Sequence, residues 1–173
     1  MNRNKFGRIS FDQYKSDNIR ELITEEELLK EWEEIQLPQR STFYSAGYDF
    51  TSPFSFTLAP TESILIPTGI RCELERDKFL QIVPRSGLGF KYRLQLDNIL
   101  GVIDSDYQSA ANEGHILLKM SNCSFDKTRI LSVKKGDGVC QGLILGYYLT
   151  EDDDLNYKKE RIGGFGSTGG ING

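Results

Sequence analysis

Five short segments carry the side chains best suited to chemistry, and together they favour a phosphate-bearing substrate. They are SAGYD at 45–49, PRSGLG at 84–89, NILGVIDSDY at 98–107, KGDGVCQ at 135–141 and GGFGSTG at 163–169. A phosphate can be bound by their guanidinium, hydroxyl and closely spaced glycine amide groups. Their carboxylates can serve as a general base or contact a hard cation. Each segment alone is weak evidence, because Gly-Asp pairs and Gly-rich stretches usually mark ordinary turns.

The scarcity of histidine restricts the reaction further. His115 is the only histidine, and the sequence has neither Cys-x-x-Cys nor His-Glu-x-x-His spacing, which argues against a zinc site and a Ser–His nucleophile. Phosphoanhydride hydrolysis needs positioning, charge neutralisation and one base, and it does not need such a nucleophile. Cys72, Cys123 and Cys140 are widely spaced in apolar surroundings, so we expect buried, reduced thiols.

The composition is that of an ordinary globular domain. The chain has 173 residues, of which 38% are hydrophobic and 27% charged, enough to bury a core. Its net charge of −4 argues against a general nucleic-acid binder. No apolar run approaches the roughly 18–20 residues that span a membrane, and no apolar signal segment follows MNRNKF. We therefore expect a cytoplasmic protein whose partners include neither nucleic acid nor a membrane.

One helix must be placed before the first of these segments. Residues 5–11 have the pattern of a first strand. Residues 19–35 have the apolar spacing of one amphipathic helix, which ends before Pro38. Thr24 is the expected N-cap, and Glu27, three residues later, completes a capping box.

The remainder has the pattern of strands. From Phe54 to Tyr148, short runs rich in β-branched and aromatic residues alternate with Gly, Pro, Asp and Asn. This spacing predicts an all-β sandwich or barrel rather than alternating strands and helices. The last stretch is mostly Gly, Ser and Thr, and it cannot bury enough surface to order itself alone.

In their order, the five segments resemble the five motifs of the trimeric dUTPase family. The resemblance runs from about Leu37 to Gly170. It implies a distorted jelly-roll or β-barrel domain at 1–160, with a helical insertion at about 12–36 and a flexible arm at 161–173. It also implies a homotrimer with sites at subunit interfaces and Mg²⁺-dependent hydrolysis of dUTP to dUMP and pyrophosphate. That reaction limits uracil incorporation into DNA and supplies dUMP for dTMP synthesis.

The resemblance assigns the third motif to the nucleoside and to the chemical step. Asn98 and the backbone at Gly101 would hydrogen-bond the uracil edge, where a cytosine would leave buried polar groups unpaired. Tyr107 would lie against the deoxyribose and exclude a ribose 2′-hydroxyl. Asp104 would be the general base for the water that attacks the α-phosphorus in line.

The first, second and fourth motifs are implied to bind the triphosphate. Arg85, Ser86, the Gly87 amide and Gln141 would contact phosphate oxygens. Asp49 would bind the hydration shell of a Mg²⁺ ion that itself binds the triphosphate, in keeping with the reluctance of this ion to lose water.

The fifth motif, in the arm, is implied to close over the substrate as a lid. Phe165 would stack on the uracil. Arg161 and the loop containing Gly166, Ser167 and Thr168 would meet the terminal phosphates.

The chain departs from the family pattern at four places. Residues 12–36 form an insertion, and residues 109–113 lengthen the segment after Tyr107. Gly138 stands where the family usually has arginine, so a cation is missing from the fourth motif. Arg161 lies one residue nearer the Gly-Gly-Phe than usual, which leaves Lys158 or Lys159 as a substitute.

Two alternatives stay open. A dCTP deaminase shares the fold but needs a glutamate at its chemical centre, and Glu113 is the one unusual carboxylate nearby. A dUTPase-fold protein with a regulatory role would use the insertions at 12–36 and 109–113 to contact a protein partner.

Overall fold

The structure, a computed structural model, describes residues 4–153. The strands of this range are β1 (Lys5–Arg8), β2 (Tyr48–Thr51), β3 (Phe56–Leu58), β4 (Ser63–Pro67), β5 (Ile70–Glu73), β6 (Lys78–Pro84), β7 (Leu94–Leu96), β8 (Gly101–Asp104), β9 (Leu117–Asn122), β10 (Leu131–Val133) and β11 (Gly138–Gly146). The helices are α1 (Phe11–Ser16), α2 (Glu25–Glu33) and α3 (Ser86–Tyr92), and a 3₁₀ helix spans Ser105–Ser109.

The strands form four antiparallel sheets. Their orders are β1-β5, β10-β3, β2-β11-β6-β8 and β4-β9-β7. The expected all-β class is confirmed in its jelly-roll form. Of the two forms expected, jelly roll or β-barrel, the structure has the first, because the sheets of residues 4–153 are not closed into a barrel.

The inner faces of these sheets make one apolar core. Alternate residues of β6 and β8 point into it, so that Leu80, Ile82 and Ile103 are almost wholly buried, as a period of two requires. Other sheets add further buried aliphatic and sulfur side chains, among them Ile66, Ile70, Cys72, Leu94, Leu118, Met120, Leu131, Val139 and Cys140. The core therefore fixes the register of the strands that carry the candidate site.

The helical segment differs in part from the sequence prediction. The Thr24–Glu27 capping box is present, with the Thr24 side chain accepting from the Glu27 amide at 3.2 Å. The helix begins only at Glu25, however. The prediction of a helix from residue 19 is therefore wrong for residues 19–23. A separate short helix, α1, precedes them because Ser10 accepts from the Gln13 amide and starts a new helical turn.

Arg8 ends α2 earlier than Pro38 would. Its guanidinium donates to the carbonyl oxygens of Trp32 and Glu33 at 3.2 and 2.9 Å, where a helix has unpaired acceptors and a negative dipole end. The same guanidinium lies 4.8 Å from the centre of the Trp32 ring. The strand β1 thus determines where the helix stops.

A buried polar network holds the two helices together. Glu31 accepts from the Tyr14 hydroxyl at 2.5 Å and receives both terminal nitrogens of Arg20. Burial and the neighbouring carboxylate raise the pKa of Tyr14. Arg20 also lies 3.8 Å above the Phe54 ring, which connects the helices to the β core. Because Glu31 is bonded on both oxygens, its burial does not leave an uncompensated charge.

His115 joins the helices to the sheets from the other side. Its ring is fully buried, Nδ1 lies 2.6 Å from Asp17 Oδ2, and Nε2 accepts from the Gly69 amide at 2.9 Å. Nε2 therefore carries no proton in this arrangement, and Nδ1–H is the donor to Asp17. Burial lowers the pKa of His115 below its ordinary value, although the Asp17 carboxylate opposes this effect.

Two of the three cysteines fit the expectation fully. Cys72 and Cys140 are buried free thiols, whereas Cys123 is partly exposed and also free. Burial raises the pKa of Cys72 to about 12, so this thiol stays protonated.

None of the helices described at 4–153 has the length and apolar character required to cross a bilayer.

The lowered pKa of His115 predicts a loss of stability on mild acidification. An unfolded histidine titrates near 6.5, and between the folded and unfolded pKa the unfolded chain binds more protons. The stabilisation is therefore complete above pH ~6.5 and is lost as the pH falls through the folded pKa. Denaturant unfolding at fixed protein concentration should give a lower free energy of unfolding at pH 5.5 than at pH 7.5.

A second measurement checks the cause. The chain has one histidine, so its imidazole proton resonance needs no assignment and its NMR titration gives the folded pKa directly. A midpoint at or above 6.5, or stability that does not change across this interval, contradicts the prediction.

Candidate active site

Asp49, Arg85 and Gln141 meet at one end of the four-stranded sheet. Asp49 and Gln141 are register partners across β2 and β11, and Gln141 Nε2 donates to Asp49 Oδ1 at 3.0 Å. Arg85 Nε lies 3.6 Å from the same oxygen. The Arg85 side chain is 44% exposed and that of Asp49 only 19%, so the cation faces solvent with the carboxylate behind it.

The second motif continues this end of the sheet as the helix α3. Arg85 is the N-cap of α3, and the first intrahelical donors to its carbonyl oxygen come three and four residues later. The amides of Ser86 and Gly87 precede those donors, at the positive end of the helix. A Cβ at Gly87 would meet nothing within 4 Å. This backbone is therefore open to an anion.

A cleft of about 390 Å³ unites the second and fourth motifs. It is lined by Arg85, Ser86, Gly87, Leu88, Ser132, Val133, Asp137, Gly138 and Gln141. The Asp137 carboxylate accepts from the Lys134 amide at 2.8 Å, and Gly136 has a φ of +88°. Asp137 and Gly136 thus shape the turn, while Gln141 reaches the cleft from the strand that follows.

Gly138 provides the space that the Arg85 side chain occupies. A Cβ at this position would lie 2.5 Å from Arg85 Nη1 and 3.0 Å from Arg85 Cδ. The departure from the family pattern at this position is therefore compensated in part, since a cation from the second motif lies over it. Sequence reasoning recorded the missing arginine but had no signal for this neighbour.

Asn98 and Gly101 lie at a second, apolar cleft of about 360 Å³. Its walls are aliphatic side chains of five strands, namely Leu65, Ile82, Leu96, Ile103 and Leu118 with its neighbour Leu117. Gly101 is buried, and a Cβ there would lie 3.3 Å from Ile82 Cβ. A flat, largely apolar ring with polar edges suits such a cleft.

Asp104 lies on the opposite face of β8. Gly101 and Ile103 are buried, whereas Val102 and Asp104 are exposed, because side chains alternate along a strand. Asp104 and Asp106 border an open cleft of about 880 Å³ together with Phe79 and residues 147–150. The structure of one chain therefore does not bring Asp104 into the cleft of Asn98 and Gly101.

Tyr107 is buried, with 4% of its surface exposed. Its hydroxyl donates to the His115 carbonyl oxygen at 3.0 Å and accepts from Asn112 Nδ2 at 2.9 Å. Any contact with a sugar is therefore made by the remaining edge of the ring. The prediction for this residue stays a prediction.

The sheet register separates the predicted base from the phosphate cleft. Asp104 pairs with Phe79 and Gln141 pairs with Val83, on the two sides of β6. Four residues along the strand amount to about 13 Å and two strand spacings to about 10 Å, so the Asp104 and Gln141 Cα atoms are about 16 Å apart. One chain cannot direct both side chains at the same phosphorus atom.

The fifth motif falls outside the described residues, and so do Arg161, Phe165, Gly166, Ser167 and Thr168. Within residues 4–153, no group of three or more His, Cys, Asp or Glu side chains forms a metal-binding cluster. Glu113, considered from the sequence as a chemical carboxylate, accepts from the Ser10 amide and hydroxyl at 2.8 and 2.6 Å. Those bonds lower its pKa.

Comparison with known proteins agrees with the motifs. The family model for dUTPase matches residues 33–169. The deoxyuridine 5′-triphosphate nucleotidohydrolase of Lactococcus lactis is 39% identical over 136 residues, which cover 78% of this chain and 89% of that protein. The dUTPase of Streptococcus mutans superposes with a TM-score of 0.58 at 32% identity, covering 66% of this chain and 88% of its own.

A dUTPase of Staphylococcus bacteriophage 80alpha extends the likeness in fold. It superposes with a TM-score of 0.63 and covers 92% of this chain and 99% of its own, at 17% identity. The helix α1 and most of α2 precede the residues that the family model matches. The helical segment is therefore an addition to the part of the fold that the family model describes.

The contact between Gly138 and Arg85 predicts the effect of a single methyl group. In Gly138→Ala, the Cβ must displace the Arg85 guanidinium from Asp49. Loss of one charge-assisted contact at a partly exposed site should weaken the binding of inorganic triphosphate by about tenfold in calorimetry. Gly7→Ala is the matched control, because its Cβ meets only Arg71 Cγ at 3.7 Å. Equal affinities for the two variants would show that Arg85 does not need this space.

Proposed function

The chain belongs to the dUTPase family, and from this premise we propose that it hydrolyses dUTP to dUMP and pyrophosphate as a Mg²⁺-dependent homotrimer. The observation that carries the proposal is the assembly of Asp49, Arg85, Ser86, Gly87 and Gln141 around one cleft. In the cell this activity limits uracil incorporation into DNA and supplies dUMP for dTMP synthesis. The free cysteines agree with the reducing cytoplasm as its compartment.

The phosphate cleft binds the triphosphate through several unlike donors. The Arg85 guanidinium supplies charge, the Ser86 hydroxyl and the Gly87 amide supply hydrogen bonds at a helix N-terminus, and the Gln141 amide supplies another. Phosphoryl transfer depends on positioning and charge stabilisation more than on covalent catalysis. This donor set therefore suits the cleavage of a phosphoanhydride.

Asp49 is the residue that fits a bound Mg²⁺. A carboxylate beside the phosphate cleft, held by Gln141 rather than within the turn, matches an ion that keeps several waters and takes its other ligands from phosphate oxygens. Mg²⁺ would neutralise charge on the triphosphate. Asp49 holds Gln141 and faces Arg85, so it also orients two phosphate-binding side chains.

The nucleoside is assigned to the third motif. Asn98 and the Gly101 backbone hydrogen-bond the uracil edge, and Tyr107 lies against the deoxyribose with the edge of its ring. Asp104 takes a proton from the attacking water. Its exposed position on β8 supports this role, because the base must reach a water and a phosphate from a facing surface.

The separation of about 16 Å between the Cα atoms of Asp104 and Gln141 within one chain supports a site shared between subunits. The phosphate cleft of one subunit meets the third motif of a second subunit, residues 98–107 with Asp104, which we call the hairpin. The arm, with Arg161, Phe165, Gly166, Ser167 and Thr168, closes the site from another chain. Threefold symmetry repeats this arrangement with one kind of contact.

The deaminase alternative loses its candidate glutamate. Glu113 binds the start of α1 through both oxygens, so it is committed to a structural contact. A role in binding a protein partner is favoured by one observation, the loop between α1 and α2, where Ile19 and Leu22 are 71% and 102% exposed. Such a role is compatible with catalysis and leaves the enzymatic proposal unchanged.

Pyrophosphate release with dUTP, dCTP, dTTP and UTP tests the proposal. The wild-type chain should act on dUTP far faster than on the other three nucleotides. The Asp104→Asn variant should still bind dUTP but lose turnover by roughly 10²–10⁴-fold, the usual contribution of one general base. Hydrolysis of dUTP by this variant at a near wild-type rate would move the base to another residue, with Asp106 first.

Mixed trimers test the shared site. The Asp104→Asn chain and a chain lacking residues 161–173 should each be inactive alone. The truncated chain should keep a melting temperature near that of the wild type, because a Gly-rich arm buries little surface. In mixed trimers, a site works when its hairpin comes from the truncated chain and its arm from the full-length chain, so roughly a quarter of sites should recover.

The alternative geometry gives a different result. If the hairpin and the arm came from the same subunit, no mixture would restore a site. Mixed trimers, verified by two affinity tags, with no more activity than their parents would therefore exclude the shared arrangement.

A further inference from the structure

We propose that the added helix α1 is a positioning element for Tyr107, and that Asp17 and Glu113 are the residues through which it acts. The proposal rests on the proposed function, since it concerns how this chain separates dUTP from UTP. Helix α1 lies before the residues matched by the family model. It nevertheless contacts the turn that follows the third motif at both of its ends.

The first contact is at the start of α1. The Ser10 amide and hydroxyl donate to the two carboxylate oxygens of Glu113 at 2.8 and 2.6 Å. Ser10 is also the N-cap of the helix, and its hydroxyl oxygen accepts from the Gln13 amide. The Glu113 carboxylate is thus bound at the helix N-terminus, where a negative charge is favoured.

The second contact is at the end of α1. Asp17, the C-cap residue, lies 2.6 Å from His115 Nδ1. It also accepts from Gln13 Nε2 at 2.8 Å, so its carboxylate has a fixed orientation. In the middle of the helix, the Tyr14 ring packs at 6.1 Å from the His115 ring. The helix therefore lies along the residues from 113 to 115.

These residues in turn hold the Tyr107 hydroxyl. It donates to the His115 carbonyl oxygen and accepts from Asn112. A Cβ at Gly114 would lie 2.8 Å from Gln108 Cα and 2.9 Å from the Tyr107 carbonyl oxygen. The turn thus crosses the 3₁₀ helix at the closest distance that the backbones allow, and a shift at 113–115 must move Tyr107.

The turn needs support from outside itself. Glu113 has a φ of +58° and Gly114 a φ of +73°. A non-glycine residue in the left-handed region is strained by its Cβ, and such a conformation persists only when its surroundings determine it. The two hydrogen bonds from Ser10 fix the Glu113 side chain and thereby support the positive φ of its backbone.

The consequence for the reaction follows from the short distance along the chain. Tyr107 lies within the 3₁₀ helix, and the proposed base Asp104 directly precedes that helix, three residues before Tyr107. A displacement of about 1 Å at a positioning group can cost roughly 10²-fold in rate. Loss of the α1 contacts should therefore enlarge the space at the 2′ position and lower the rate with dUTP, without breaking the β core.

Asp17→Ala is the principal variant, measured at pH 7.5 with dUTP and UTP. We expect kcat/KM for dUTP to fall about tenfold, equivalent to about 1.4 kcal/mol, and the UTP/dUTP ratio of kcat/KM to rise several-fold. Asp17→Asn keeps an oxygen that can accept from His115 Nδ1–H, so it should restore both values to within about twofold. Lys15→Ala, in the same helix, removes only the exposed pair with Glu25 and should behave as the wild type.

Glu113→Gly tests the other end of the helix if Asp17→Ala fails to fold. Glycine accepts the positive φ, so this variant keeps the turn but loses both bonds to Ser10. It should change the UTP/dUTP ratio in the same direction as Asp17→Ala.

The outcomes separate the two proposals. A wild-type chain without activity on dUTP refutes the proposed function and not the contacts. A wild-type chain with activity, together with an unchanged UTP/dUTP ratio in Asp17→Ala and Glu113→Gly, overturns the positioning role. An equal change in Lys15→Ala would also overturn it, because the effect would then come from general weakening of the helix.

Discussion

The two hydrogen-bonded ladders of β6 constrain every other part of the site. On one side β6 pairs with β11 and on the other with β8, and the core residues Leu80 and Ile82 prevent any slip of register. The ladders deliver the second and fourth motifs to one end of the strand and Asp104 to the other. A rigid strand cannot bend its ends together. Under the proposed function, the catalytic geometry therefore comes from association of subunits rather than from folding of one chain.

The helical addition follows a second constraint, the cost of buried polar groups. Helices of six and nine residues, such as α1 and α2, are not stable alone, so contacts with the β core must order them. Several contacts of the helical segment are polar: Glu31 and His115 are buried, and Arg20, which binds Glu31, is partly buried. Such groups are unfavourable unless every partner is in place. They consequently specify one position of the helices on the sheets, where an apolar face would have tolerated several.

Local signals in the sequence predicted much of the fold. The Thr24–Glu27 capping box and the strand runs depend on neighbouring residues, and the structure confirms them where it is described, except that the first strand ends at Arg8 and Phe11 begins α1. The prediction of helix at residues 19–23 is wrong: their apolar spacing fits a helical period, but the N-cap at Thr24 begins the helix at Glu25. The helix α3 in the second motif could not be predicted, because its short polar and glycine residues do not favour one backbone conformation.

The contacts that sequence reasoning missed all join distant parts of the chain. Ser10 and Glu113 are 103 residues apart, and Asp17 and His115 are 98 apart. Arg85 fills the space beside Gly138 only because β11 pairs with β6. No periodicity encodes such pairs, but one indirect signal existed, since two insertions relative to one family pattern lie at 12–36 and 109–113.

The two insertions meet at their borders, where Ser10 contacts Glu113 and Asp17 contacts His115, and such contacts need not disturb the fold to which both insertions are added. Here the second insertion adjoins Tyr107, so the pair also acts on a residue of the proposed site. Substitutions in α1 should therefore change the position of Tyr107 near the nucleoside more than they change the stability of the β core. A molecule that binds α1 and shifts it would act on the nucleoside site in the same way. The shift would reach Tyr107 through Glu113 and His115 and would not involve the phosphate cleft.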